Sequence, residues 1–163
     1  SMGSQTSGFS QDHLPDTIKV PAEHKVAWET VGSGEITYEC RDKAGMPGQA
    51  EWVFVGPKAV LKDRAGSQVG RYYGPPATWE SNDGSKVTAT QLAVAPASAG
   101  NIPLQLVKAN PAMGMGAMQG VTYIQRVATQ GGVAPAVACT ATNAGQKQVV
   151  KYQADYIIWK AAS

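Results

Sequence analysis

The chain has 163 residues, 43% of them hydrophobic and 16% charged, which fits one domain with a sizeable core. Its 14 basic and 12 acidic side chains are intermixed and give a net charge of +2, so the basic stripe of a nucleic-acid binder is missing. No apolar run approaches the roughly 20 residues that cross a bilayer, so no membrane span is expected.

The first residues, 1–10, are mostly small and polar. We interpret residues 1–14 as a tag remnant with a flexible lead-in and residues 15–163 as a single β domain. No signal peptide is visible, and we expect one to have been removed.

Alternation of hydrophobic and polar residues dominates the rest of the chain. Ile36, Tyr38 and Cys40 alternate with polar residues, which predicts a strand with one face inward. Further strands are predicted over residues 51–55, 59–61, 69–73, 86–95, 102–107, 121–127 and 149–159. Gly56-Pro57 is expected to close the second strand and Gly74-Pro-Pro76 the fourth.

Helical spacing is weak throughout, and only residues 22–27 and 95–99 suggest helical turns. About eight to ten short strands with little helix indicate an all-β protein, an antiparallel β-sandwich or barrel.

Two cysteines, Cys40 and Cys139, lie about a hundred residues apart in or beside strands. The even count and the low charge favour a disulfide and an exported protein, secreted, periplasmic or on the cell surface. The alternative is a pair of buried free thiols, which behave as small hydrophobic residues.

Several motifs then occur in a fixed order. They are Tyr38-Glu-Cys40, Glu51-Trp-Val-Phe-Val-Gly-Pro57, Gly70-Arg-Tyr-Tyr-Gly-Pro75 with Trp79, Asn101-Ile-Pro103, Val121-Thr-Tyr-Ile-Gln-Arg126, Gly131-Gly-Val-Ala-Pro135, Cys139 and Tyr152-Gln-Ala-Asp-Tyr156. Together they resemble the family called domain of unknown function 3455, over roughly residues 15–159.

The resemblance implies a secreted protein whose two cysteines fall at the family's cysteine positions. Some fungal members carry a malate dehydrogenase label, but this chain lacks the strand–GxGxxG–helix unit that holds a dinucleotide. It also has Tyr72 and Tyr73 where the family often has histidine, and Leu104 where it often has tryptophan.

Tyr72, Tyr73 and Trp79, beside two prolines, are the candidate ligand-binding cluster, because flat aromatic faces stack on sugars or apolar ligands. The alternative is that these rings close one end of the core. Glu80 adjoins the cluster. Arg126 falls within a strand, where a partly buried cation needs a partner, and it completes the candidate set.

Met113, Met115 and Met118 place three thioethers in one loop, and thioethers are ligands for Cu(I). No histidine or cysteine adjoins them, so a mobile apolar loop is the alternative.

The leading interpretation is an exported binding module without catalysis that recognises a carbohydrate or another small ligand. One alternative is a hydrolase that uses Glu80 or Asp63 with Arg126, and a second is a copper-handling protein. No cofactor and no oligomeric state are indicated.

Overall fold

The alternating pattern produces eight strands in the computed structural model, which describes residues 8–163. They are β1 (His24–Asp42), β2 (Ala50–Lys62), β3 (Gln68–Tyr73), β4 (Thr78–Ser81), β5 (Lys86–Ala95), β6 (Leu104–Ala109), β7 (Val121–Gly131) and β8 (Lys147–Ala161). Strands that are consecutive in the sequence pair antiparallel, and β8 pairs with β1, so the sheet closes into a barrel. The all-β prediction is confirmed, and the architecture is the barrel rather than the sandwich.

The first strand, β1, begins at His24, well before the predicted strand at Ile36. Two further strands differ from the prediction in their number or limits. Residues 51–55 and 59–61 belong to one strand, β2, because Gly56 and Pro57 stay in register with Thr37 and Ile36 of β1. A register shift beside Thr37 accommodates this point of the ladder, so the expectation that Gly56-Pro57 closes the strand is wrong. The short β4 was not predicted, because three of its four residues are buried and no alternation is visible.

The helical turns suggested at residues 22–27 and 95–99 are not helices, since β1 begins at His24 and β5 ends at Ala95. Instead, short 3₁₀ turns occur at Asp16–Ile18 and Ala141–Asn143. Within residues 8–163, no helix has the length and apolar character needed to cross a membrane.

The barrel interior is filled by a layer of aromatic rings. Tyr72 stacks on Trp79 with ring centroids 4.6 Å apart, and Tyr156 contacts both rings. The hydroxyl groups of Tyr152 and Tyr156 are hydrogen-bonded at 2.9 Å. Aromatic rings bury large areas in few residues, which suits a narrow barrel.

A second apolar cluster lies outside the barrel wall, where the segment of residues 9–20 crosses the strands. Ile18 and Val20 are buried against Leu106 of β6, and Ile157 and Trp159 of β8. Phe9 and Leu14 pack against the same cluster, so part of the predicted lead-in is docked on the barrel. Residues 1–7 of that lead-in lie outside the described residues.

The predicted disulfide is present. Cys40 near the end of β1 is bonded to Cys139 in the connection between β7 and β8. It therefore holds that long connection against one end of the barrel.

Candidate functional site

The predicted site residues divide between the two faces of the barrel wall. Tyr72 and Trp79 are 6% and 1% exposed and form part of the interior core. Tyr73 and Glu80 are the next residues along the same strands, and their side chains therefore point outward. The structure keeps the aromatic cluster together only as core, while Tyr73 and Glu80 remain accessible.

On the outer face, Tyr73, Glu80 and Arg71 form a hydrogen-bonded group. The Tyr73 hydroxyl donates to Glu80 Oε1 at 2.6 Å, and Arg71 Nη2 lies 3.0 Å from Glu80 Oε2. The Arg71 guanidinium also lies 5.5 Å from the centroid of the Tyr73 ring. The Tyr73 ring is thus fixed in place at the surface.

These contacts set the protonation of the group. The hydrogen bond from Tyr73 lowers the pKa of Glu80, with Arg71 adding to the effect. The same hydrogen bond raises the pKa of Tyr73, because Tyr73 donates its proton to a carboxylate. Glu80 is an ionised acceptor that is already engaged by two partners, and Tyr73 is a neutral donor.

An open depression of about 930 Å³ lies beside this group. Strands β1, β2, β3, β7 and β8 contribute to it. Its lining is formed by Ser33, Gly34, Glu35, Pro57, Lys58, Ala59, Val60, Arg71, Tyr72, Tyr73, Gly74, Gln130, Lys151, Tyr152 and Gln153.

Inward-facing glycines allow very close packing in the wall beside the depression. A Cβ on Gly34 would come within 2.1 Å of the Lys58 carbonyl oxygen, and one on Gly70 within 2.2 Å of the Glu80 carbonyl oxygen. A Cβ on Gly32 would meet the Tyr156 ring at 2.6 Å. Because only glycine permits such close approach, these three wall positions cannot carry a side chain without a shift of their neighbours.

The charges around the depression are nearly balanced. Glu35 on β1 lies between its cross-strand neighbours Lys58 on β2 and Lys151 on β8. Arg71 is paired with Glu80. The surface therefore offers many polar groups with a small excess of positive charge.

Arg126 lies on the other side of the wall. It is paired across the strands with Tyr156 of β8, and Ile124, two residues earlier, belongs to the interior core. Its Nε donates to the Pro103 carbonyl oxygen at 3.0 Å. Burial raises the pKa values of Tyr38 and Tyr72, and the positive charge of Arg126 partly offsets this effect.

The family model described as Protein of unknown function (DUF3455) matches residues 21–160, nearly the whole chain. The chain belongs to this family. No curated protein matches this DUF3455 chain, and no solved structure does.

The residues of the hydrolase alternative do not converge in this DUF3455 protein. Glu80 points outward from β4, whereas Arg126 points into the interior from β7. Asp63 stabilises its own turn, where its Oδ1 accepts hydrogen bonds from the backbone nitrogens of Ala65 and Ser67. The geometry therefore gives the hydrolase alternative no common site.

The three methionines of the copper alternative are also separated. Met118 is 1% exposed and packs in the interior core, whereas Met115 is 80% exposed. Met113 is also exposed and lies in a bridge with Lys86. Across residues 8–163, no group of three or more His, Cys, Asp or Glu side chains could hold a metal ion.

Sequence reasoning missed most of the depression. Four of its polar lining residues come from three strands: Lys58, Gln130, Lys151 and Gln153. In the sequence, each of them is an unremarkable polar residue of a strand. Only the strand register brings them together, so no local motif could have identified them.

Proposed function

We propose that this DUF3455 protein is an exported, non-catalytic binding module whose outer depression recognises a carbohydrate. The observation that carries the proposal is the fixed, accessible Tyr73 ring at the edge of an open depression of about 930 Å³, whose mostly apolar surface carries several polar side chains. Sugars bind through their C–H faces on aromatic rings and through hydroxyls that hydrogen-bond to planar polar groups.

The lining offers both kinds of contact. Gln130 and Gln153 each present an amide that donates and accepts, and Lys58 and Lys151 present ammonium donors. The small positive excess favours neutral or mildly acidic saccharides over basic ligands.

The exported location is part of the same proposal. The Cys40–Cys139 disulfide supports it, because disulfides persist in oxidising compartments and are rare in the cytosol.

A glycan array probed with the wild-type protein and with Tyr73→Ala tests the carbohydrate site. We expect the wild type to bind at least one class of saccharide, and Tyr73→Ala to weaken that binding at least tenfold because the stacking surface is lost. Tyr73→Phe keeps the ring and loses the hydroxyl, so it should retain most of the affinity.

Tyr123→Ala is the matched control, since Tyr123 is a partly exposed tyrosine that does not line the depression. Thermal melting of all variants separates loss of binding from loss of folding. Wild-type protein that binds no glycan, or Tyr73→Ala protein that binds as well as wild type, would overturn the proposal.

A further inference from the structure

The barrel interior contains a cation but no carboxylate. All twelve acidic side chains lie elsewhere, on the outer face of strands (Glu29, Glu35, Glu39, Glu51, Glu80, Asp155), in turns or at a strand end (Asp42, Asp63, Asp83), or in the segment before β1 (Asp12, Asp16, Glu23). Among the ion pairs of residues 8–163, none involves Arg126. The charge of this guanidinium is therefore not neutralised by the chain described here.

Most of the hydrogen-bond donors of Arg126 are also free within residues 8–163. The Nε–H is used by the Pro103 carbonyl, and this contact holds the guanidinium in one orientation. The two terminal nitrogens have no acceptor among the described residues, and the side chain is half-buried, so solvent reaches it. An arginine held in this way presents a fork that fits a planar carboxylate.

The groups around Arg126 form one end of the barrel, which we call the Arg126 mouth. Gln105 of β6 is the cross-strand neighbour of Arg126, and its amide is hydrogen-bonded to Gln91. Tyr38 lies close enough to Arg126 for the arginine charge to act on the pKa of its hydroxyl. The Tyr38 ring packs edge-on against Phe54, which is 52% exposed. Tyr38 thus connects the half-buried cation to an exposed aromatic ring.

The neighbouring tyrosines cannot supply the missing negative charge at neutral pH. Burial raises the pKa of Tyr38, Tyr72 and Tyr152 above that of a free phenol, so their hydroxyls stay protonated. The Tyr38 hydroxyl already donates to the Gly132 carbonyl oxygen, and the Tyr152 and Tyr156 hydroxyls bond each other, so among the described residues the free donors of this region are those of Arg126.

We propose that the Arg126 mouth binds a small organic carboxylate with an apolar body. The carboxylate accepts hydrogen bonds from the free Arg126 donors, and the apolar body lies against Phe54 and its neighbours. A single guanidinium matches the single charge of a carboxylate better than the higher charge of a phosphate ester. Open ends of β-barrels are common places for such ligands.

The test uses two probes of similar size and shape, naphthalene-1-acetate and naphthalene-1-acetamide; the amide is neutral and has an NH₂ donor in place of one carboxylate oxygen. Isothermal titration calorimetry should show saturable binding of the acetate to the wild-type protein and at least tenfold weaker binding of the amide. Equal affinities, or no binding of the acetate at millimolar concentration, would overturn the proposal.

Arg126→Met removes the charge while keeping a long apolar side chain, and we expect it to weaken acetate binding at least tenfold while leaving amide binding unchanged. Arg126→Lys keeps the charge without the fork and should give an intermediate loss. Arg71→Met is the matched control, because Arg71 faces outward, and it should bind the acetate as wild type does. An Arg126→Met protein that keeps the wild-type affinity for the acetate would sink the proposal.

A direct readout does not depend on the folding of any variant. In the ¹H–¹⁵N spectrum of the wild-type protein, the Arg126 Nε–H resonance should shift on addition of the acetate and stay in place with the amide. An acetate that binds without moving this resonance would contradict the site. Tyr73→Ala should leave acetate binding intact, so the experiments can contradict either of the two proposed sites without contradicting the other.

Discussion

At the scale of single residues, Asp83 shows how one side chain fixes a loop. Its Oδ1 accepts hydrogen bonds from the backbone nitrogen and the hydroxyl of Ser85, at 2.9 and 2.6 Å. Its Oδ2 accepts one from the Ala117 nitrogen at 2.8 Å, across 34 residues of sequence. Together these bonds, with that of the Ser85 hydroxyl the strongest, lower the pKa of Asp83 to about 2.

The depressed pKa of Asp83 makes stability depend on acidity. As the pH falls, the Asp83 carboxylate is protonated near pH 3.8 in the unfolded chain but only near pH 2 in the folded protein. The contribution of Asp83 is therefore complete above about pH 5 and is lost as the pH falls towards 2. We expect the midpoint of urea denaturation to decrease over this range, and to decrease less in Asp83→Asn.

Asp42→Asn is the control for this experiment, because Asp42 is exposed at the end of β1 and has no ion pair among the described residues. It should keep the wild-type dependence on pH. A pH profile of Asp83→Asn that parallels that of the wild type would contradict the role assigned to these hydrogen bonds.

At the scale of elements, the segment of residues 9–20 depends on one buried amide in the barrel wall. Gln125 is 0% exposed; its Nε2 donates to the Ile18 carbonyl at 2.8 Å and to Gln11 at 3.0 Å. Its Oε1 accepts from Trp159 Nε1 at 2.8 Å. A fully satisfied buried amide fixes the position of the segment as well as stabilising it.

Replacing Gln125 with alanine should cost about 2–3 kcal/mol, because the Trp159 N–H and the Ile18 carbonyl would remain buried without partners. Urea denaturation measures this loss. Limited proteolysis should show faster cleavage within residues 9–20, since the segment would detach more often. Gln130→Ala, an exposed glutamine in the same strand, should change neither result. Gln125→Ala protein as stable and as resistant as wild type would refute this account.

Strand positions were readable from the sequence to different degrees. β5 (Lys86–Ala95) is predicted with its observed bounds, because a turn precedes it and the apolar residues Val87, Leu92 and Val94 lie along it. β4 was missed, since burial on both faces removes the alternation on which prediction rests. The depression was beyond sequence analysis, because Glu35, Lys58 and Lys151 meet only once the register of three strands is known.

The candidate site was partly predictable for the same reason. The sequence places Tyr73 in the aromatic cluster and Glu80 next to it, and the two side chains do form a hydrogen-bonded pair. Local sequence could not distinguish them from Tyr72 and Trp79, which face the core. Successive residues of a strand face opposite sides of the sheet, and the sequence does not show which side of this sheet is the interior.

At the scale of the whole molecule, the disulfide constrains the unfolded chain more than it alters the folded one. Cys40 and Cys139 are separated by 99 residues, and closing a loop of that size removes much of the entropy of the unfolded chain. The bonded segment also supplies the Val137 carbonyl that accepts the Trp52 Nε1 hydrogen bond at 2.8 Å.

The double variant Cys40→Ser/Cys139→Ser should lose about 3–5 kcal/mol of unfolding free energy, as measured in urea. Wild-type protein measured after reduction should give the same loss, and alkylation of denatured, unreduced wild type should modify no thiol. A double variant of wild-type stability, or two thiols alkylated without reduction, would contradict the role of the bond.

The closure of the sheet between β1 and β8 limits how this protein can meet other chains. Each of the eight described strands has a neighbour on both sides, so none presents a row of unpaired backbone donors and acceptors. A partner therefore cannot join the sheet as a ninth strand, and two copies cannot fuse along their edges into a fibre. Recognition is left to side chains, those of the outer wall and those at the open end of the barrel.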